Sequence, residues 1–108
     1  MVEYQLNFNA VFGALSDPTR RDMLARVMQG DLTITELASR YALTFAGVAK
    51  HVEVLLKARL VLKRKQGREQ VITGNDATIR ETTAVLQTYD KLWTQRFDRL
   101  GAFLEEEE

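Results

Sequence analysis

The sequence predicts a mainly α-helical fold with one small β-hairpin, and three observations predict it. Apolar residues recur every three or four positions in segments whose starts are marked by Asp17-Pro18, Thr33 and Thr44. One stretch, LVLKRKQGREQVIT, reads as two strands about a tight turn at Gln66, Gly67 and Arg68. A last amphipathic run, about 77–104, continues with no strong breaker before Gly101.

Over residues 3–15, Tyr4, Phe8, Val11, Phe12 and Leu15 form one apolar stripe of a first helix. Asp17 is a good N-cap and Pro18 suits the first helical position, where its missing N–H costs nothing. The second helix is expected over about 18–29, burying Leu24, Val27 and Met28 and stopping at Gly30. Thr33 and Glu36 have capping-box spacing and start a third helix, about 34–41, with Leu37 inward. After a turn at Ala42 and Leu43, Thr44 caps a fourth helix running to about Ala58, with Val48, Val52 and Leu55 inward. Two short helices about a tight turn, the second presenting basic residues outward, make a helix-turn-helix.

The hairpin follows directly and therefore reads as a wing, although a basic edge can also serve only to deter strand-to-strand aggregation. Its first strand alternates Lys63 and Lys65 with Leu62 and Arg64, and Arg68 sits at the turn. Asp76 is the expected cap of the last helix. Ile79, Leu86, Trp93, Leu100 and Leu104 line its stripe, with Tyr89 and Phe97 beside it. Some 28 residues would extend about 42 Å, against a radius of gyration near 13 Å for a domain of this length. The expected fold is thus a winged helix-turn-helix, dimeric through its first and last helices: Tyr4, Phe8 and Phe12 on one, Leu86, Tyr89, Trp93, Phe97 and Leu100 on the other. One domain is expected over 1–104, with 105–108 a frayed acidic tail that the helix dipole disfavours.

Composition narrows the function. The 108 residues are 45% hydrophobic and 28% charged, which excludes disorder throughout. There is no cysteine, hence no disulfide, thiolate metal site or cysteine nucleophile. The opening MVEYQLNFNAVF lacks the pattern of a signal peptide and no run is long enough to span a membrane, so a cytoplasmic location is expected. The net charge of zero hides an asymmetry. Residues 40–70 hold eight basic side chains against Glu53 and Glu69, while the flanking segments are acidic. Such a patch suits a polyanion, and double-stranded DNA is the expected partner.

The outward face of the fourth helix offers Ala46, Lys50, Glu53 and Lys57, with Thr44 and Phe45 at its leading end. Phe45 and Ala46 suit thymine methyls, and Lys50 suits guanine O6/N7. Glu53 can accept from cytosine or pair with Lys57. Gly47 costs about 1 kcal/mol of helix propensity, which a close approach to the neighbouring helix or to DNA would explain. His51, the only histidine, falls at the edge of the apolar face, either packed with one hydrogen bond or touching phosphate. A lone histidine without sulfur ligands makes a poor transition-metal site. No nucleophile, phosphate loop or apolar carboxylate pair supports catalysis, so neither an enzyme nor a cofactor is expected.

VFGALSDPTRRDMLARVMQGDLTITELA, LTFAGVAKHVEVLLKARLVLKRKQGRE and YDKLWTQRFDRLGAFLEEE, taken in order, resemble the ArsR/SmtB family of winged-helix repressors. The resemblance implies a homodimeric repressor that binds an inverted repeat and leaves DNA when an effector, of unidentified kind here, arrives. By position, Thr44, Phe45, Ala49, Lys50 and His51 match the family's DNA-facing or adjacent sites. Ala49 stands where serine is frequent, and Arg59 where glycine is usual before Leu60-Val61. Metal-sensing members carry cysteine near the third helix or His and Asp on the last. TITELA has no cysteine and residues 77–104 no histidine, so those sites do not carry over. Two alternatives stay open: a winged helix that binds protein, and a metal-responsive repressor with an oxygen-ligand site.

Overall fold

The computed structural model describes residues 6–106. The elements are α1 (Phe8–Leu15), α2 (Pro18–Gln29), β1 (Leu32–Thr33), α3 (Ile34–Ala38), α4 (Phe45–Lys57), β2 (Val61–Gln66), β3 (Glu69–Gly74) and α5 (Asp76–Glu106). The antiparallel sheet has strand order β1-β3-β2. Two compact units divide the chain, one reaching Thr78 and the other beginning at Ile79. The first is the winged helix-turn-helix and the second is the body of α5.

Side-chain caps set where the helices begin. Asn7 accepts from Ala10 N–H at 3.1 Å and opens α1. The expected helix start at residue 3, with Tyr4, falls outside the described residues. Asp17 accepts from Arg20 N–H at 3.0 Å with Pro18 behind it, as the sequence predicts for α2. The capping box of α3 is complete: Glu36 N–H donates to the Thr33 hydroxyl and Thr33 N–H to the Glu36 carboxylate, each at 3.0 Å. Helix α3 ends at Ala38, three residues short of expectation, because Ser39 caps it through its hydroxyl on Glu36 C=O and its N–H on Thr35 C=O. Strand β1 has no signal of its own in two residues; it exists by pairing Leu32 with Ile72 and Thr33 with Val71.

The core of the first unit is closed by Val11, Met23, Leu37, Val48, Leu55, Leu60 and Ile72, all fully buried. One expected core position differs. Met23 is buried in place of Met28, which is 42% exposed and lays its thioether where a Cβ on Gly74 would stand. Phe12, assigned with Phe8 to the dimer surface, is also 42% exposed, while Val11 and Ala14 turn inward. Glycine at 74 is what lets α2 lie this close to β3.

Helix α4 ends in a Schellman motif. Leu60 N–H donates to Leu55 C=O and Arg59 N–H to Leu56 C=O, each at 3.0 Å, and the buried Leu60 and Leu55 form the apolar contact that accompanies it. This motif requires a left-handed residue, and Arg59 occupies it at φ 60°. Asn75 locks the junction, its side-chain amide donating to Arg59 C=O at 2.8 Å and its N–H to Leu60 C=O at 2.9 Å. A two-residue turn then joins β2 to β3, with Gly67 at φ 64° in the first turn position. Helix α5 includes Asp76 in its first turn rather than being preceded by it, and continues to Glu106, into the stretch expected to fray.

The strain at Arg59 is measurable. A left-handed non-glycine residue costs about 1–2 kcal/mol, and glycine returns about 0.5–1 kcal/mol of that as unfolded-chain entropy. Arg59→Gly should therefore stabilise the fold by roughly 0.5–1 kcal/mol. The measurement is a urea midpoint in about 0.5 M salt, where the cation's attraction to the helix end is screened. An unchanged or lowered midpoint would contradict the strained-cap reading.

Candidate nucleic-acid interface

Helix α4 uses its two faces for different purposes. Val48, Val52 and Leu55 are buried, and the 100° step between residues carries Ala46, Lys50, Glu53 and Lys57 to the opposite, exposed face. Thr44 and Phe45 stand exposed at the leading end, Phe45 with 57% of its surface open. Ala49 and His51 lie half-buried on the flanks. Thr44 Oγ1 accepts from Gly47 N–H at 3.0 Å. The cramped neighbour of Gly47 is this same oxygen, 3.2 Å from where a Cβ would be, not the preceding helix. The preceding helix does not approach Gly47, which corrects that half of the expectation.

Two polar clusters brace α4, and neither can be read from spacing in the sequence. In the first, Tyr41, in the turn before α4, donates its hydroxyl to Asp22 Oδ2 at 2.5 Å while Arg26 Nε donates to the same carboxylate at 2.9 Å. The Arg26 guanidinium also lies 5.6 Å from the Tyr41 ring centroid. These donors hold the Asp22 carboxyl below the ordinary carboxylate range, Tyr41 contributing most. Burial, then the hydrogen bond to Asp22, pushes the Tyr41 phenol up to about 12. In the second cluster Arg20 Nε donates to Ala14 C=O at 2.7 Å, and its two terminal nitrogens reach Gly13 C=O and His51 Nδ1, each at 3.3 Å. His51 therefore packs with one hydrogen bond, the first of the two roles its position suggested.

The wing separates its cations. Lys63 and Lys65 share one face of β2 and Leu62, Arg64 and Gln66 the other, all of them exposed, with Arg68 exposed at the tip. Arg64 is engaged elsewhere, donating to Asp31 Oδ2 at 3.1 Å. Hydrogen bonds from Thr73 and then Arg64 hold the Asp31 carboxyl below its ordinary value. The wing's ready cations are thus Lys63, Lys65 and Arg68.

In the second unit, the face expected to dimerise is exposed: Leu86, Tyr89, Trp93, Phe97 and Leu100 each show half or more of their surface. Leu92 and Phe103 are equally open and lie about 80–100° to one side of the Trp93 stripe, outside the expected face. Trp93 and Phe97 meet edge to face at 4.8 Å between centroids, and Arg96 covers the indole at 5.8 Å. On α1, Phe8 is half-buried and its ring stands 6.4 Å from that of exposed Phe12. Among the described residues, no group of three or more His, Asp or Glu side chains could hold a metal, and no helix is long and apolar enough to cross a membrane.

No family model matches the chain. The HTH-type transcriptional regulator Rv2034 of Mycobacterium tuberculosis is 32% identical over 95 residues, which cover 87% of this chain and 85% of that protein. The transcriptional repressor SdpR of Bacillus subtilis is 32% identical over 60 residues, 56% of this chain and 67% of that protein. Among solved structures, an ArsR-like transcriptional regulator from Rhodococcus sp. RHA1 superposes with a TM-score of 0.75 at 30% identity, covering 85% of this chain and 87% of that one.

The Asp22 cluster carries a pH signature. A carboxyl lowered by folding contributes stability above its unfolded value, and that contribution disappears as pH falls through the lowered folded value. Asp22→Asn should therefore be less stable than the parent at about pH 7, with a narrower gap at about pH 3. Urea midpoints at the two pH values check this; a gap that stays constant would exclude the linkage.

Proposed function

The chain belongs to the ArsR family of HTH-type transcriptional regulators, and from that premise we propose that it represses transcription by binding an inverted repeat of double-stranded DNA as a homodimer. The observation that carries the reading is the division of α4, whose core stripe leaves Thr44, Phe45, Ala46 and Lys50 facing outward at its leading end. A helix in the major groove meets base edges with that end. Lys50 donates to guanine O6/N7, and Phe45 and Ala46 lie against thymine methyls. The Thr44 cap and the first N–H groups of α4 receive a phosphate. Lys63, Lys65 and Arg68 grip the backbone, so affinity rests more on phosphates than on bases.

The homodimer rests on the exposed stripe of α5, where Trp93 and Phe97 would be costly to leave in water. Burial of a large aromatic side chain contributes about 1.5–3 kcal/mol, and a twofold axis counts each one twice. Phe8 and Phe12 of α1 add a second aromatic patch. Repression follows the SdpR relative. Release by a small-molecule effector belongs to the same proposal, and its ligand is left to the experiment.

Mobility-shift titrations test the interface. Lys50→Ala should cost about 1–3 kcal/mol on the specific site and relax one operator position. Arg68→Ala should weaken all sequences alike and lower the salt slope by about one. If both variants bind as the parent does, or if binding is insensitive to salt, the DNA reading fails and a protein-binding winged helix takes its place. Trp93→Glu should convert the protein to a monomer in analytical ultracentrifugation and abolish the preference for two half-sites over one; a variant that remains dimeric would refute the α5 interface.

A further inference from the structure

We infer that Arg20 is the positioning residue that fixes the angle of the DNA-reading helix α4 against α1, the helix whose Phe8 and Phe12 contribute to the proposed dimer surface, acting through His51. The inference deepens the DNA-binding reading and rests on it. One guanidinium links three elements. It stands on α2, grips the C-terminal end of α1 through the carbonyls of Ala14 at 2.7 Å and Gly13 at 3.3 Å, and reaches His51 Nδ1 on α4 at 3.3 Å.

The geometry suits a brace rather than a simple cap. Guanidinium donors are fixed in one plane by resonance, so satisfying the α1 carbonyls with two nitrogens leaves the third little freedom in where it points. Its root is fixed as well: Arg20 N–H is held by the Asp17 carboxylate, and Pro18 sets the backbone ahead of it. Asp17 also faces the Arg20 guanidinium, whose charge lowers its carboxyl after the Arg20 backbone hydrogen bond. Helix α1 brings no charged side chain to the cluster. At the far end, His51 follows Lys50 directly and precedes buried Val52, so rotation of α4 that moves Lys50 in the groove must also move the ring. Nδ1 accepts only when the neutral ring carries its proton on Nε2.

The consequence concerns two half-sites at once. In a twofold dimer on an inverted repeat, each inserted base pair moves one half-site by about 3.4 Å and rotates it by about 35°. A protomer whose reading helix is held rigidly to α1, part of the proposed dimer surface, discriminates between such spacings. A direct contact to DNA, in contrast, is lost equally at every spacing.

The experiment uses the full chain and the inverted repeat returned by selection from a random duplex pool, rebuilt with the half-sites one and two base pairs closer and farther apart. Wild type should prefer one spacing by at least tenfold. Arg20→Ala should lose about tenfold on that operator, the scale of one charge-assisted hydrogen bond, and bind all spacings within about threefold. Because Arg20→Ala also frees the α1 carbonyls, two variants at the other end decide independently of folding. His51→Leu, which removes the acceptor, should flatten the spacing profile, whereas His51→Gln, whose side-chain oxygen can accept from Arg20, should keep it. If His51→Leu lowers every spacing by one common factor, or if Arg20→Ala keeps the wild-type profile, the brace is overturned while DNA binding stands. A wild type that prefers no sequence over random duplex overturns the functional reading itself.

Discussion

Burial of one stripe of α4 is the constraint on which the other features of the winged helix depend. Val48, Val52 and Leu55 are held in the core at three- and four-residue spacing, and a helix with a fixed inward stripe has no freedom in what it shows outward. Lys50 faces solvent because Val48 and Val52 cannot. A shift of one residue in that packing would turn every outward side chain by about 100°, carrying the lysine off the reading face. The specificity of the outer surface is thus inherited from apolar contacts that never meet the ligand.

What the core cannot fix is the helix's start, end and tilt, and separate polar devices handle each. Thr44 fixes the start by accepting from Gly47 N–H. The Schellman motif fixes the end, and its left-handed turn feeds directly into β2, so the same strained residue terminates α4 and aims the wing. The Asp22–Tyr41–Arg26 cluster holds the preceding turn, while Arg20 and His51 tie the middle of α4 to the end of α1. An arginine tolerated where glycine is the relaxed choice fits a junction whose shape is over-determined by Asn75 and the buried Leu60.

The sequence carried the local part of this well, because caps and helical stripes act over three or four residues. Asp17, Thr33, Thr44 and the hairpin at Gly67 were legible for that reason, as was the inward face of α4. The polar braces were not: Tyr41 lies 19 residues from Asp22 and His51 lies 31 from Arg20, separations at which no periodic signal exists. Met23 and Met28 show a second limit. Both fit a helical stripe with Leu24 and Val27, and the choice fell to a strand glycine 46 positions beyond Met28, whose bare backbone takes the longer thioether sideways. Strand β1 could be recognised only once β3 supplied the missing half of its ladder. Leu92 and Phe103 fall beside a strict helical stripe, on a helix whose exposed apolar surface is wider than one stripe.

Charge adds a final argument about how such a surface works in a chain with no net charge. The cations of residues 40–70 are not interchangeable, since Arg64 is already paired with Asp31 on the far side of β2. Exposed pairs of this kind contribute little to stability, about 0–1 kcal/mol, so the pairing matters more for where Arg64 is than for how firmly the wing folds. It occupies the one arginine on the opposite face and leaves the available positive charge to Lys63 and Lys65 on one face of the wing and to Arg68 at its tip. The acidic residues that bring the total to zero lie mostly outside residues 40–70. Within about 8–10 Å, the screening length at physiological salt, a polyanion meets the local field and not the sum. A basic reading surface on a neutral protein is therefore consistent with electrostatic steering toward DNA, with the acidic flanks opposing adhesion in other orientations.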